Sequence, residues 1–127
     1  METINYLHLI DSNFIEFSGE DCKDFLQGMI TNDINKCDNE KSIYSCLLTP
    51  QGKFLADFFI IKKKNKYLIE IHNKFKNDFL SKISIYKLRS KVNIKELNNY
   101  NSFIFFKNGD LDFIDKDISV FNDPRKS

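Results

Sequence analysis

The chain has 127 residues, the size of one ordinary domain. Apolar residues make up 42%, aromatics 14% and charged residues 29%, globular values that argue against a disordered or collagen-like chain. Lys+Arg of 19 against Asp+Glu of 18 leaves a net charge of +1, so no whole-domain basic field exists for nucleic acid or an anionic membrane.

Residues 4–9 and 14–17 read as short strands separated by the turn cluster Asp11-Ser12-Asn13. Ser18-Gly19-Glu20-Asp21 matches the S-x-x-[DE] capping pattern. Cys22, Phe25, Leu26 and Met29 follow at i, i+3, i+4 and i+7, one face of a helix, and Gly28 reads as its stop. Thr31-Asn32-Asp33 is then a short polar element at the helix C-terminus.

Residues 42–49 predict a strand with both faces partly apolar, and Thr49-Pro50-Gln51-Gly52 carries the Pro and Gly placement of a type I turn. Residues 53–61 are the most strongly β segment and the hairpin partner of that strand. Residues 62–66 form a charged turn and residues 67–72 a third strand. Asn73 opens a second helix with Phe75, Phe79, Ile83 and Tyr86 as its apolar stripe. Residues 91–94, 102–106, 111–114 and 118–121 predict further short strands. Hairpin-length connections imply an α+β fold, a mainly antiparallel sheet with two helices on one face. Residues 1–122 make one domain and residues 123–127 a polar tail. The apolar runs are too short to cross a bilayer, and the N-terminus lacks the basic region and apolar core of a signal peptide. The expectation is a soluble intracellular chain with no membrane and no direct nucleic-acid partner.

Asp57 is the first candidate for chemistry. Period-2 alternation places Leu55, Asp57, Phe59 and Ile61 on one face and Phe54, Ala56, Phe58 and Ile60 on the other, so an acid projects from an otherwise apolar strand. Such a carboxylate needs donors, a cation or a proton; it is either a site residue or a structural acid satisfied by backbone or lysine. Thr31, Asn32 and Asp33 either make turn hydrogen bonds or line a pocket. Arg89 stands alone in the body of a lysine-rich chain, either binding a ligand carboxylate or pairing a structural acid. Cys22 and Cys46 read as buried and Cys37 as an exposed loop thiol; their spacing suits neither a disulfide framework nor a metal site. His8 and His72 lie too far apart for a metal pair. The thirteen Phe are mostly core, with a few rings free to line a flat ligand's pocket.

Three segments resemble one family. Phe25-Leu26-Gln27-Gly28-Met29-Ile30-Thr31-Asn32-Asp33 resembles the FLQG-x-x-TND segment of YgfZ-type folate-binding proteins, relatives of the glycine cleavage T-protein. Residues 47–58 resemble that family's LLTPQGK-x-L-x-D-F hairpin, and residues 86–92 its Y-x-LR-x-KV segment. The resemblance implies a ferredoxin-like or T-protein-like α+β folate-binding domain and tetrahydrofolate as cofactor. It also implies a role in assembling or repairing iron–sulfur clusters in client enzymes, tRNA-modifying ones included, with no reaction of its own. Asp57 would accept from pterin ring nitrogens, Asn32, Asp33 and Thr31 would add contacts, Tyr44 would stack and Arg89 would hold a carboxylate. The protein would be cytoplasmic in a bacterium or mitochondrial in a eukaryote. T-proteins carry paired acids where this chain has Ala56 and Asp57, which weighs against the alternative, an aminomethyltransferase. The family's later K-G-C-[YF]-x-G-Q-E motif does not occur, so the chain corresponds to its N-terminal portion, and a separate C-terminal half is an expected partner, without which a remnant would need another chain.

Overall fold

Side chains that alternate apolar and polar along a strand sort themselves onto two faces, and here the larger apolar set closes a single core. The computed structural model describes residues 6–105 and 124–125. Its elements are β1 (Tyr6–His8), β2 (Ser12–Ser18), α1 (Cys22–Met29), a 3-10 turn (Ile34–Lys36), β3 (Ile43–Leu48), β4 (Phe54–Lys63), β5 (Lys66–His72), α2 (Asn73–Tyr86), β6 (Asn93–Leu97) and β7 (Phe103–Phe105). A five-stranded sheet runs in the order β3-β4-β5-β2-β6, with antiparallel pairing throughout, and β1 and β7 form a two-stranded ribbon. The chain is thus α+β, as the hairpin spacing predicts. The strands expected at residues 111–114 and 118–121 lie outside the described residues.

The β3–β4 hairpin closes as the Thr-Pro-Gln-Gly signature demands. Gly52 N–H donates to the Thr49 carbonyl at 2.9 Å, and Thr49 N–H to the Lys53 carbonyl at 2.8 Å. Gly52 has φ of 83°, a left-handed conformation that glycine adopts without steric cost. The charged turn is tighter than its lysine run suggests: Lys63 pairs with Lys66, leaving two residues between them.

Ile15 and Phe17 of β2, Ala56, Phe58 and Ile60 of β4, and Tyr67, Ile69 and Ile71 of β5 share one core with Cys22, Phe25 and Leu26 of α1 and Phe79 and Ile83 of α2. Phe79 meets Phe58 edge-on at 5.2 Å and Phe17 at 6.3 Å between ring centroids. Burying each such side chain contributes about 2 kcal/mol. The helices therefore cover one face of the sheet. Leu55, Asp57, Phe59 and Ile61 occupy the other, each half-buried.

Several local expectations give way to longer-range contacts. Ser12 and Asn13 belong to β2 rather than to a turn. Ser18 ends β2 and caps nothing; Asp21 precedes α1 without a side-chain cap bond, because its Oδ2 accepts from Lys91 N–H at 2.7 Å. Gly28 is not a stop: it lies inside α1, which ends where Ile30 turns extended and bridges to Leu47. His72, not Asn73, caps α2, its Nδ1 accepting from Lys74 N–H at 3.0 Å. Tyr86 falls off the apolar stripe and is exposed. The cysteine expectations exchange places, since Cys37 is buried, its Sγ donating to the Ile60 carbonyl, while Cys46 is only half-buried.

Candidate functional site

The register of β3 against β4 assembles a small polar group on the helix-free face. Cys46 lies opposite Asp57 and Tyr44 opposite Phe59, which makes Tyr44 and Asp57 diagonal neighbours within reach of a long side chain. The Tyr44 hydroxyl donates to Asp57 Oδ2 at 2.5 Å. The Tyr44 and Phe59 rings lie 5.5 Å apart. The Arg125 guanidinium rests over them, 4.8 Å from the Phe59 centroid and 5.9 Å from that of Tyr44. The hydrogen bond to Asp57 pushes the Tyr44 phenol up to about 12, helped by burial and by the carboxylate's charge. Ionising the phenol would break that bond and set two negative charges side by side. The result is a half-buried carboxylate with one oxygen held by Tyr44, beside two aromatic rings. That chemistry suits a flat ring with N–H groups on its edge.

Thr31, Asn32 and Asp33 take a different position. Thr31 N–H donates to Ser45 Oγ and to the Cys46 carbonyl, both at 3.1 Å, while Thr31 Oγ1 accepts from Cys46 N–H at 3.1 Å. Asn32 N–H donates to Ser45 Oγ at 3.1 Å and Asn32 Nδ2 to the Tyr44 carbonyl at 2.9 Å. Asp33 Oδ1 accepts from Asn35 N–H at 2.9 Å and caps the 3-10 turn. Gln27 braces the segment from α1, donating to the Asn32 carbonyl at 2.9 Å and accepting from Ile34 N–H at 2.8 Å. These side chains thus hold the backbone of edge strand β3, which carries Tyr44 and Cys46, and position the site rather than project into it.

Arg89 is not brought to Asp57. It is exposed in the turn after α2, and α2 packs on the opposite face of β4. The arginine over the site is Arg125, which sequence reasoning assigned to a polar tail. Its one signal was rarity, as Arg89 and Arg125 are the chain's two arginines. Ser45 was also missed, although it sits between Ile43 and Leu47 on the inward phase of β3, where a buried hydroxyl must find partners. Ala56 is fully buried toward the core, so position 56 offers no carboxylate beside Asp57. Among the described residues no group of three His, Cys, Asp or Glu is placed to hold a metal ion.

The architecture is an antiparallel sheet with both helices on one face and an acid on the other. The chain matches the model of the GCVT N-terminal domain over residues 7–104 and belongs to that family. It is 34% identical over 111 residues to "Iron-sulfur cluster assembly factor IBA57 homolog, mitochondrial" of Neurospora crassa, a match covering 82% of this chain and 25% of that protein. The protein of the same name from Mycosarcoma maydis is 29% identical over 97 residues, covering 66% of this chain and 24% of its own. An aminomethyltransferase of Staphylococcus epidermidis is 36% identical over 59 residues, 46% of this chain and 16% of that one. Among solved structures, the glycine cleavage system aminomethyltransferase T of Bartonella henselae superposes with a TM-score of 0.67 at 14% identity, covering 74% of this chain and 26% of that chain. The chain spans about a quarter of the length of the iron–sulfur assembly relatives.

Proposed function

We propose that this chain is the folate-binding N-terminal part of a YgfZ-type protein that assists iron–sulfur cluster assembly or repair in client enzymes, tRNA-modifying ones among them. In this reading Asp57 anchors the pterin of tetrahydrofolate. The observation that carries it is the half-buried Asp57 carboxylate, held by Tyr44 through one oxygen, on the same face as the Tyr44 and Phe59 rings. The residues fit such a ring: Asp57 accepts from its N–H edge, and Phe59 and Tyr44 offer their faces. When bound, tetrahydrofolate supplies ring nitrogens able to carry one-carbon units. Thr31 and Asn32 act indirectly, fixing the backbone at Cys46 and Tyr44. Arg89 is left outside this site.

The iron–sulfur role is supported by the names of the IBA57 relatives, and the domain acts with a polypeptide equivalent to the three quarters of those proteins it does not span. The aminomethyltransferase alternative draws on the staphylococcal relative, but Ala56 leaves it a single acid on this strand. Two measurements test the proposal. Calorimetric titration with tetrahydrofolate is expected to give saturable one-to-one binding, and its absence at millimolar ligand would contradict the folate reading. Supplied with the complementary polypeptide to cells lacking their own relative, the chain is expected to restore iron–sulfur enzyme activity, and failure to do so would contradict the assembly role.

A further inference from the structure

We infer that Arg125 is the internal occupant of the Asp57 site, its guanidinium holding the place a flat, N–H-rich ring would take, so that Arg125 and ligand exclude each other. This rests on the reading of Asp57 as a ligand anchor and adds how access to that anchor is controlled. The guanidinium lies 4.8 Å from the Phe59 centroid and 5.9 Å from that of Tyr44. Both rings stand on the face that carries Asp57, and Tyr44 is bonded to it. A guanidinium is planar, rimmed with N–H groups and at home on an aromatic face. The 2-amino-4-oxopyrimidine edge of a pterin contains the same N–C(NH2)–N unit. One surface therefore suits both groups, and two planar groups cannot share it.

Lys63, the lysine of β4 on this side, is engaged elsewhere, over Tyr100. The contact joins residues far apart in sequence, so it is made by the fold and not by local chain geometry. Competition of this kind raises a ligand's apparent dissociation constant, by about two- to fivefold for an exposed cation–π contact. It also sets a selection rule. A ring that only stacks gains little over Arg125, whereas a ring that also donates to Asp57 displaces it.

The test uses the whole chain with tetrahydrofolate as the probe. In ligand-free protein the Arg125 side-chain proton resonances are expected upfield, shifted by the Phe59 and Tyr44 rings, and saturating tetrahydrofolate is expected to abolish that shift. Arg125→Ala is expected to bind tetrahydrofolate about two- to fivefold more tightly than wild type. Arg125→Lys, which keeps the charge but loses the plane, is expected to tighten binding in the same direction. Unshifted Arg125 resonances in the free protein would overturn the inference, and so would equal or weaker binding by Arg125→Ala. No binding by either protein would instead refute the folate reading itself, and the exclusion with it.

Discussion

The hydroxyl of Tyr44 reaches diagonally across the β3–β4 pair to Oδ2 of Asp57, 2.5 Å away, on the face of the sheet that the helices leave uncovered. Tyr44 is thereby the protein's own donor to that acid, and the pair has a titration signature. The hydrogen bond to Asp57, with burial and the acid's charge, raises the Tyr44 phenol to about 12. A proton-bearing group whose pKa is raised by folding stabilises the native state fully below its unfolded value, here about 10. That contribution fades as pH climbs from about 10 toward the folded value. Absorbance titration at the phenolate band is expected to show one tyrosine ionising late, and Asp57→Asn is expected to bring it back down. A late tyrosine that persists in Asp57→Asn would contradict this assignment.

Two glycines are expected to respond in opposite directions. A β-carbon on Gly19, whose φ is 110°, would lie 2.5 Å from the Lys91 carbonyl oxygen. Gly19→Ala is therefore expected to cost about 2 kcal/mol or more in urea unfolding. Gly28 sits in α1 with open space above it. Gly28→Ala is expected to stabilise by about 0.5–1 kcal/mol through helix propensity alone.

Ser45 is the buried hydroxyl on which residues 31 and 32 converge. Ser45→Ala leaves Asn32 N–H without its acceptor, whereas Thr31 N–H keeps the Cys46 carbonyl. The expected loss is about 2 kcal/mol of stability, measured by thermal or urea unfolding.

The thiols are expected to separate by accessibility. Burial pushes Cys22 and Cys37 up to about 11, while Cys46 is half-exposed opposite Asp57. Iodoacetamide at neutral pH is expected to label Cys46 first and the other two only on unfolding. Tetrahydrofolate is expected to slow the labelling of Cys46. Equal labelling of all three in native protein would contradict the described burial.

Periodicity was enough to read the elements that close the core. The i, i+3, i+4 spacing of Cys22, Phe25 and Leu26 and the alternation of Ala56, Phe58 and Ile60 each mark a buried face, and these faces meet. Asp57 stood out because its residue type conflicts with its strand. Asp21 and Gly19 were misread as a local cap because their partner, Lys91, lies some seventy residues away, beyond any local pattern. Ser45 and Thr31 form a clip whose meaning depends on α1 ending against β3, a tertiary fact. Arg125 went unread for the same reason, since only the folded chain carries it onto the Phe59 and Tyr44 rings.

The most direct test is the affinity of folded Asp57→Asn for tetrahydrofolate beside that of wild type. Replacing the charged acceptor by an amide is expected to weaken binding at least about tenfold, as loss of a charge-assisted hydrogen bond should. Unfolding midpoints near wild type would show that the sheet is intact. Undiminished affinity in a folded Asp57→Asn protein would contradict the claim that this carboxylate grips the pterin.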